Sequence, residues 1–147
     1  MADIFTEEVL QGFFSRIDNL AIDRKPLFGK MNAHQMICHC ADFFRMAFGQ
    51  KKALEYGQVD PREITTSAKR GETVPSPKGF GQVEGDGTKP IDFEKDKTVL
   101  KKFIVEFTQL PKDYQFAPHP YFGDMSEVKW TQLALYHLNH HLDQFNV

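Results

Sequence analysis

Apolar residues recur along this chain with the spacing of helices, three or four apart, in four long segments. The first runs from about Thr6 to Leu20. Thr6 supplies an N-cap, Glu7 and Glu8 suit the positive end of the helix dipole, and Val9, Leu10, Phe13, Phe14 and Ile17 form one stripe. The second opens at Asn32, with Gln35 as its capping-box partner, and carries Met36, Ile37, Cys40, Phe43, Phe44 and Ala47 until Gly49. The third starts near Asp96, repeats Val99, Leu100, Phe103, Ile104 and Phe107, and is ended by Pro111. The last starts after Ser126 and continues almost to the C-terminus.

Between the second and third long helices the pattern changes. Asp60-Pro61-Arg62-Glu63 reads as N-cap, first-turn proline and acidic first turn of a short helix closed by Gly71. From Gly71 to Pro90 the density of Pro and Gly forbids regular structure, and so long a connection in a small domain covers a site or is disordered. Phe80 is the one large apolar residue able to pin it to the body. Leu110 to Met125 is a second irregular link, holding His119 between Pro118 and Pro120. With no repeat and no alternating strand, the expectation is an all-α bundle.

Length and composition fit one globular domain over residues 1–147: 41% of the residues are hydrophobic and 14 are Phe. A net charge of −2 supplies no broad positive field for nucleic acid or an anionic membrane, so neither is expected as a partner. Met1-Ala2-Asp3-Ile4-Phe5 lacks the basic and apolar segments of a signal peptide, and no run reaches the roughly 20 apolar residues of a membrane span. A soluble, cytoplasmic protein is expected. Cys38 and Cys40 point about 200° apart on a helix, which disfavours both a disulfide and a shared metal with His39.

The chemistry concentrates in the last helix. His137 and His141 are one turn apart, close enough to aim at one point, and Trp130, Ala134 and Gln144 fall within about 60° of His137 at about 100° per residue. Leu135 and Leu142 fall opposite, so this helix has two apolar faces, the second free to pack internally or against another subunit. Six histidines place some pair four apart in roughly a quarter of random arrangements, so the spacing alone is unspecific. A catalytic metal takes about three protein ligands. The third must come from another helix, and His39, on the flank of the second stripe, ranks above His34 and His119. Asp42, one turn after His39, is either an orienting carboxylate or a solvated one. No glycine-rich phosphate loop or serine elbow is present.

At His39-Cys40-Ala41-Asp42 and His137-Leu138-Asn139-His140-His141-Leu142-Asp143-Gln144 the sequence resembles the DinB-like (YfiT-like) family of metalloenzymes over nearly the whole chain. His119-Pro120-Tyr121-Phe122-Gly123, with Trp130 and the terminal His-His-Leu-Asp-Gln-Phe, is similar to a subgroup of unassigned function. The resemblance implies a four-helix bundle, a divalent metal such as nickel or zinc on His39, His137 and His141, and homodimers. It also implies a small-molecule substrate and either a transferase or isomerase using a low-molecular-weight thiol, or a hydrolase. Gln144, Trp130, Asp42, His119 and Phe80 are the expected neighbours of the site. The other class of function open to the chain is a non-catalytic metal-binding or helical scaffold protein.

Overall fold

The computed structural model describes residues 4–147; the reading of Met1-Ala2-Asp3 lies outside the described residues. Among those described the protein is all-α, with helices α1 (Glu7–Asn19), α2 (Ala33–Ala47), α3 (Pro61–Lys69), α4 (Phe93–Thr108) and α5 (Glu127–Gln144). Among the described residues no strand forms, and His119 and Gly123 make an isolated antiparallel bridge. None of these helices is long and apolar enough to cross a membrane.

Local chemistry sets the helix starts. Thr6 accepts from the Val9 amide, Asn32 and Gln35 form the reciprocal capping box, Asp60 caps α3 ahead of Pro61, and Ser126 accepts from the Lys129 amide. The third long helix begins at Phe93, earlier than expected. The physical reason is Asp92, whose side chain accepts from the Lys95 amide at 3.0 Å. Asp96 lies inside the first turn and reaches back to the Ile91 amide at 3.2 Å.

The apolar stripes meet as one core. α2 packs on α4 and α5, and α1 packs on the same two helices, while α3 stands apart and buries only Ile64. Every member of the α2 stripe is buried, as are Leu10, Phe13 and Ile17 of α1 and Leu100, Ile104 and Phe107 of α4. On α5 both apolar faces are used inside the chain. Leu138 and Leu142 are 1% exposed, and Leu135 packs against the core at partial burial. Leu135 and Leu142 thus both have partners inside the chain.

The segment from 71 to 90 has no helix or strand, and it is fixed to the body. Phe80, 2% exposed, enters the core, and the Leu54 amide donates to the Lys78 carbonyl at 2.8 Å. The strongest tie is Asp42. This carboxylate is neither solvated nor hydrogen-bonded to an imidazole: it is fully buried, accepting from Arg45 at 2.8 Å, from the Thr88 amide at 2.9 Å and from the Thr88 hydroxyl at 2.6 Å. A buried charge needs such donors, and α2 reaches them only by drawing the loop onto itself. Thr88→Val removes the shortest of these bonds while keeping the shape. We expect it to lower the unfolding free energy by roughly 1.5–3 kcal/mol in urea titration and to speed proteolysis within 71–90.

Candidate metal centre

The seam between α2 and α5 brings His39, His137 and His141 together. Their ring centroids form a near-equilateral triangle: 4.8 Å for His39 and His137, 4.6 Å for His39 and His141, and 4.6 Å for His137 and His141. One nitrogen from each ring lies within 4.8 Å of the other two. The Nε2 atoms of His39 and His137 face each other at 3.0 Å.

The partners of each ring define what its nitrogens can do. Gln144 Nε2 donates to the Phe28 carbonyl at 2.9 Å, which can only accept, so Gln144 Oε1 is turned to His141 Nδ1 at 2.7 Å. His141 must therefore donate from Nδ1, which leaves its Nε2 lone pair free. The clamp is closed by the Leu27 amide, 2.7 Å from the Gln144 carbonyl, and by Gly29 at φ 83°, where an added Cβ would lie 2.6 Å from Gln144 Nε2. Phe43 stacks on His137 at 4.9 Å and 22° between planes. His137 Nδ1 is buried without a hydrogen-bond partner, as is His39 Nδ1 by strict geometry, although the Phe80 main chain favours the charged form of His39.

Burial keeps these rings neutral. His39 and His137 retain a little accessible surface, yet protein atoms surround both rings deeply enough for desolvation to dominate. Desolvation pushes His39 down to about 4 against the help of Asp42, and holds His137 and His141 well below the usual histidine range, with repulsion from neighbouring imidazoles adding to it. Three neutral imidazoles, each with a ring nitrogen within 4.8 Å of the other two, are the donor set that a divalent cation of the zinc or nickel type takes, with metal to nitrogen distances of about 2.0–2.1 Å for zinc. The residues present thus fit such an ion.

The other expected neighbours fall at different depths. Gln144 touches the cluster directly, and Phe80 meets it through its main chain near His39. Trp130, fully buried, is separated from it by Phe43, with centroids 5.8 Å apart, and stacks on Phe116 at 5.5 Å. His119 sits beyond Trp130 at 5.6 Å, its Nδ1 accepting from the amides of Tyr121 at 3.0 Å and Phe122 at 3.3 Å. It is a structural acceptor in the link before α5. Sequence reasoning missed Phe43 as the support of His137 and Phe28 as the anchor of Gln144; the first had only its apolar stripe as a signal, the second none. His140 is half-buried beside His141 at 5.0 Å, between exposed Phe28 at 5.6 Å and exposed Tyr136 at 5.8 Å.

Elsewhere on α2, His34 turns to α4, where its Nε2 lies 2.6 Å from Asp96 Oδ2, and the Cys38 thiol joins the same carboxylate. Cys40 Sγ instead contacts Met36 Sδ at 3.6 Å in the core. Burial raises both thiols, Cys38 to about 12 with Asp96 contributing.

Fold and site together describe an all-α protein with a cluster of three imidazoles close enough together that they could hold a metal ion. The chain belongs to DUF1569, a family of proteins of unknown function, which matches residues 8–147. That match corrects the expected DinB-like (YfiT-like) membership: the histidine spacing in α5 is short enough to occur in more than one helical family. No curated protein and no solved structure matches the chain.

His119 gives a test of how the neutral rings weigh on stability. Its folded pKa of about 4 lies below the ordinary 6.5, so between these values the unfolded chain binds more protons and stability falls as the pH drops through that window. The full loss from this ring is roughly 3 kcal/mol. His119→Asn keeps an acceptor near Nδ1 without a titrating group, and urea unfolding between pH 7 and 4 is expected to show a correspondingly smaller acid loss.

Proposed function

We propose that this protein is a divalent-metal-dependent enzyme acting on a small molecule, with His39, His137 and His141 holding one nickel or zinc ion. The observation that carries the reading is the convergence of three neutral, desolvated imidazoles, two of them with Nε2 atoms 3.0 Å apart. Without a cation that contact uses one proton between two Nε2 atoms, both of which a cation would engage. The cation supplies Lewis acidity for activating water, a low-molecular-weight thiol or a substrate oxygen, so the reaction is a hydrolysis or a thiol-dependent transfer or isomerisation.

The chain's own residues position the donors. Gln144 fixes the tautomer of His141, Phe43 fixes the plane of His137, and the tie of Gln144 to Phe28 holds the 27–29 segment against α5. Substrate approaches beside His140, where Phe28 and Tyr136 remain 46% and 45% exposed and offer aromatic surface. α1, α2, α4 and α5 act as one four-helix bundle in this reading, and its location is cytoplasmic. A second reading is metal binding or scaffolding without turnover, since the groups that touch the imidazoles directly include an amide, Gln144, and an aromatic ring, Phe43, neither of which is an acid, base or nucleophile.

Equilibrium dialysis of metal-free protein against nickel or zinc tests the centre. His137→Ala is expected to bind one equivalent less than the wild type; equal stoichiometry in the two proteins refutes the three-histidine site. Metal at about 100 times its Kd should stabilise the wild type by about 2.7 kcal/mol beyond any gain in the variant. If metal-free His137→Ala is instead strongly destabilised, the histidines are structural. Gln144→Ala, which frees the His141 ring, is expected to weaken binding by roughly 10- to 100-fold while retaining the stoichiometry. Turnover in thiol-transfer and hydrolysis assays that returns only with added metal separates the enzyme from the non-catalytic reading.

A further inference from the structure

We propose that His34, Cys38 and Asp96 form a second cation site, of zinc type, at the junction of α2 and α4. His34 and Cys38 are one turn apart on α2, so about 40° separates them around the axis and both face α4. There Asp96 meets them from its first turn. His34 Nε2 and Asp96 Oδ2 are 2.6 Å apart, and one ligand atom from each of the three residues lies within 4.8 Å of the others.

The donor set is a sulfur, an imidazole nitrogen and a carboxylate oxygen, all ordinary zinc ligands, on two elements whose packing already holds them together. Its surroundings support the assignment. The Ile91 amide donates to Asp96 Oδ2 at 3.2 Å and orients the carboxylate, while Phe93 meets the His34 ring edge-on at 5.4 Å. Cys38 is 3% exposed, but the His34 and Asp96 side chains keep 13% and 25% of their surface, so the cluster borders solvent on the side of these two ligands. When zinc binds, the thiol proton passes to solvent and sulfur takes the cation in its place. In its absence the same atoms form the observed hydrogen-bonded group. This proposal does not rest on the three-histidine centre, whose ligands are all imidazoles.

Cobalt(II) is the probe that separates the two centres. Titrated into reduced, metal-free protein, it is expected to give a sulfur-to-cobalt charge-transfer band in the near ultraviolet, which an all-imidazole site cannot produce. Zinc should then bleach the band by displacement. His137→Ala should retain the band; Cys38→Ser should lose it together with one equivalent of metal, with its helical circular dichroism unchanged. Asp96→Asn and His34→Gln should each weaken the cobalt affinity measured by that band at least tenfold, and they carry the test should Cys38→Ser fail to fold. No such band in the wild type, or an undiminished band in folded Cys38→Ser, overturns the proposal. Loss of an equivalent in His137→Ala with no band in any protein would leave the three-histidine centre standing and this one refuted.

Discussion

The cost of charging an imidazole in the seam between α2 and α5 governs how this part of the molecule is built. Three rings occupy one desolvated corner, each held neutral by burial and by its neighbours. Neutral rings cannot satisfy one another fully, because each carries one donor and one acceptor and their nitrogens face inward. The fold answers with the Gln144 amide, which accepts from His141 and donates to Phe28, and with the face of Phe43, which fills space without asking for a hydrogen bond. The residual imbalance stays at the Nε2 pair and at the Nδ1 atoms of His39 and His137.

That corner is held in place from a distance by a buried carboxylate. Asp42 lies on α2, one turn after His39, and its donors are Arg45 and Thr88. Thr88 ends a connection that carries Phe80 into the core and the Phe80 main chain toward His39. A segment with too much Pro and Gly to form a helix or strand thus acquires a fixed course from one carboxylate and one aromatic ring. Its backbone amides gain partners as well: Asp86 and Gly87 both donate to the Gly81 carbonyl at 2.9 Å.

Much of this was legible in the sequence, and the reason is locality. Helix starts are decided by a side chain and an amide two or three residues on, so Thr6, Asn32, Asp60 and Ser126 could be read directly. At α4 two acidic residues competed, and Asp92 won because the chain before it is extended and leaves its side chain free to cap, while Asp96 was drawn to His34. The shared face of His137, His141 and Gln144 followed from the helical period alone. What needed the folded chain was contact between distant segments. Nothing near Asp42 in sequence announces Thr88, and nothing near Gln144 announces Phe28. The family resemblance failed for a related reason: a few histidines at helical spacing report a local geometry, which unrelated helical proteins can share.

The α2 helix explains why two donor clusters can coexist in a chain of this size without merging. His34 and Cys38 share one side of it, while His39 is turned about 140° from His34 and about 100° from Cys38. Successive residues are thereby sent to different partners, Cys38 to α4 and His39 to α5, and the apolar rows ending in Phe43 and Phe44 keep the two directions apart. The two sets also differ in kind. Three imidazoles form a borderline nitrogen site, whereas thiolate, imidazole and carboxylate carry two negative charges when fully deprotonated and attract a dication more strongly through charge. An ion held by the second set would tie the N-terminal turn of α4 to α2, at the same end where the 71–90 connection enters α4, so that cluster would bear first on the loop and on α4, and reach His39 only through the rigid body of α2.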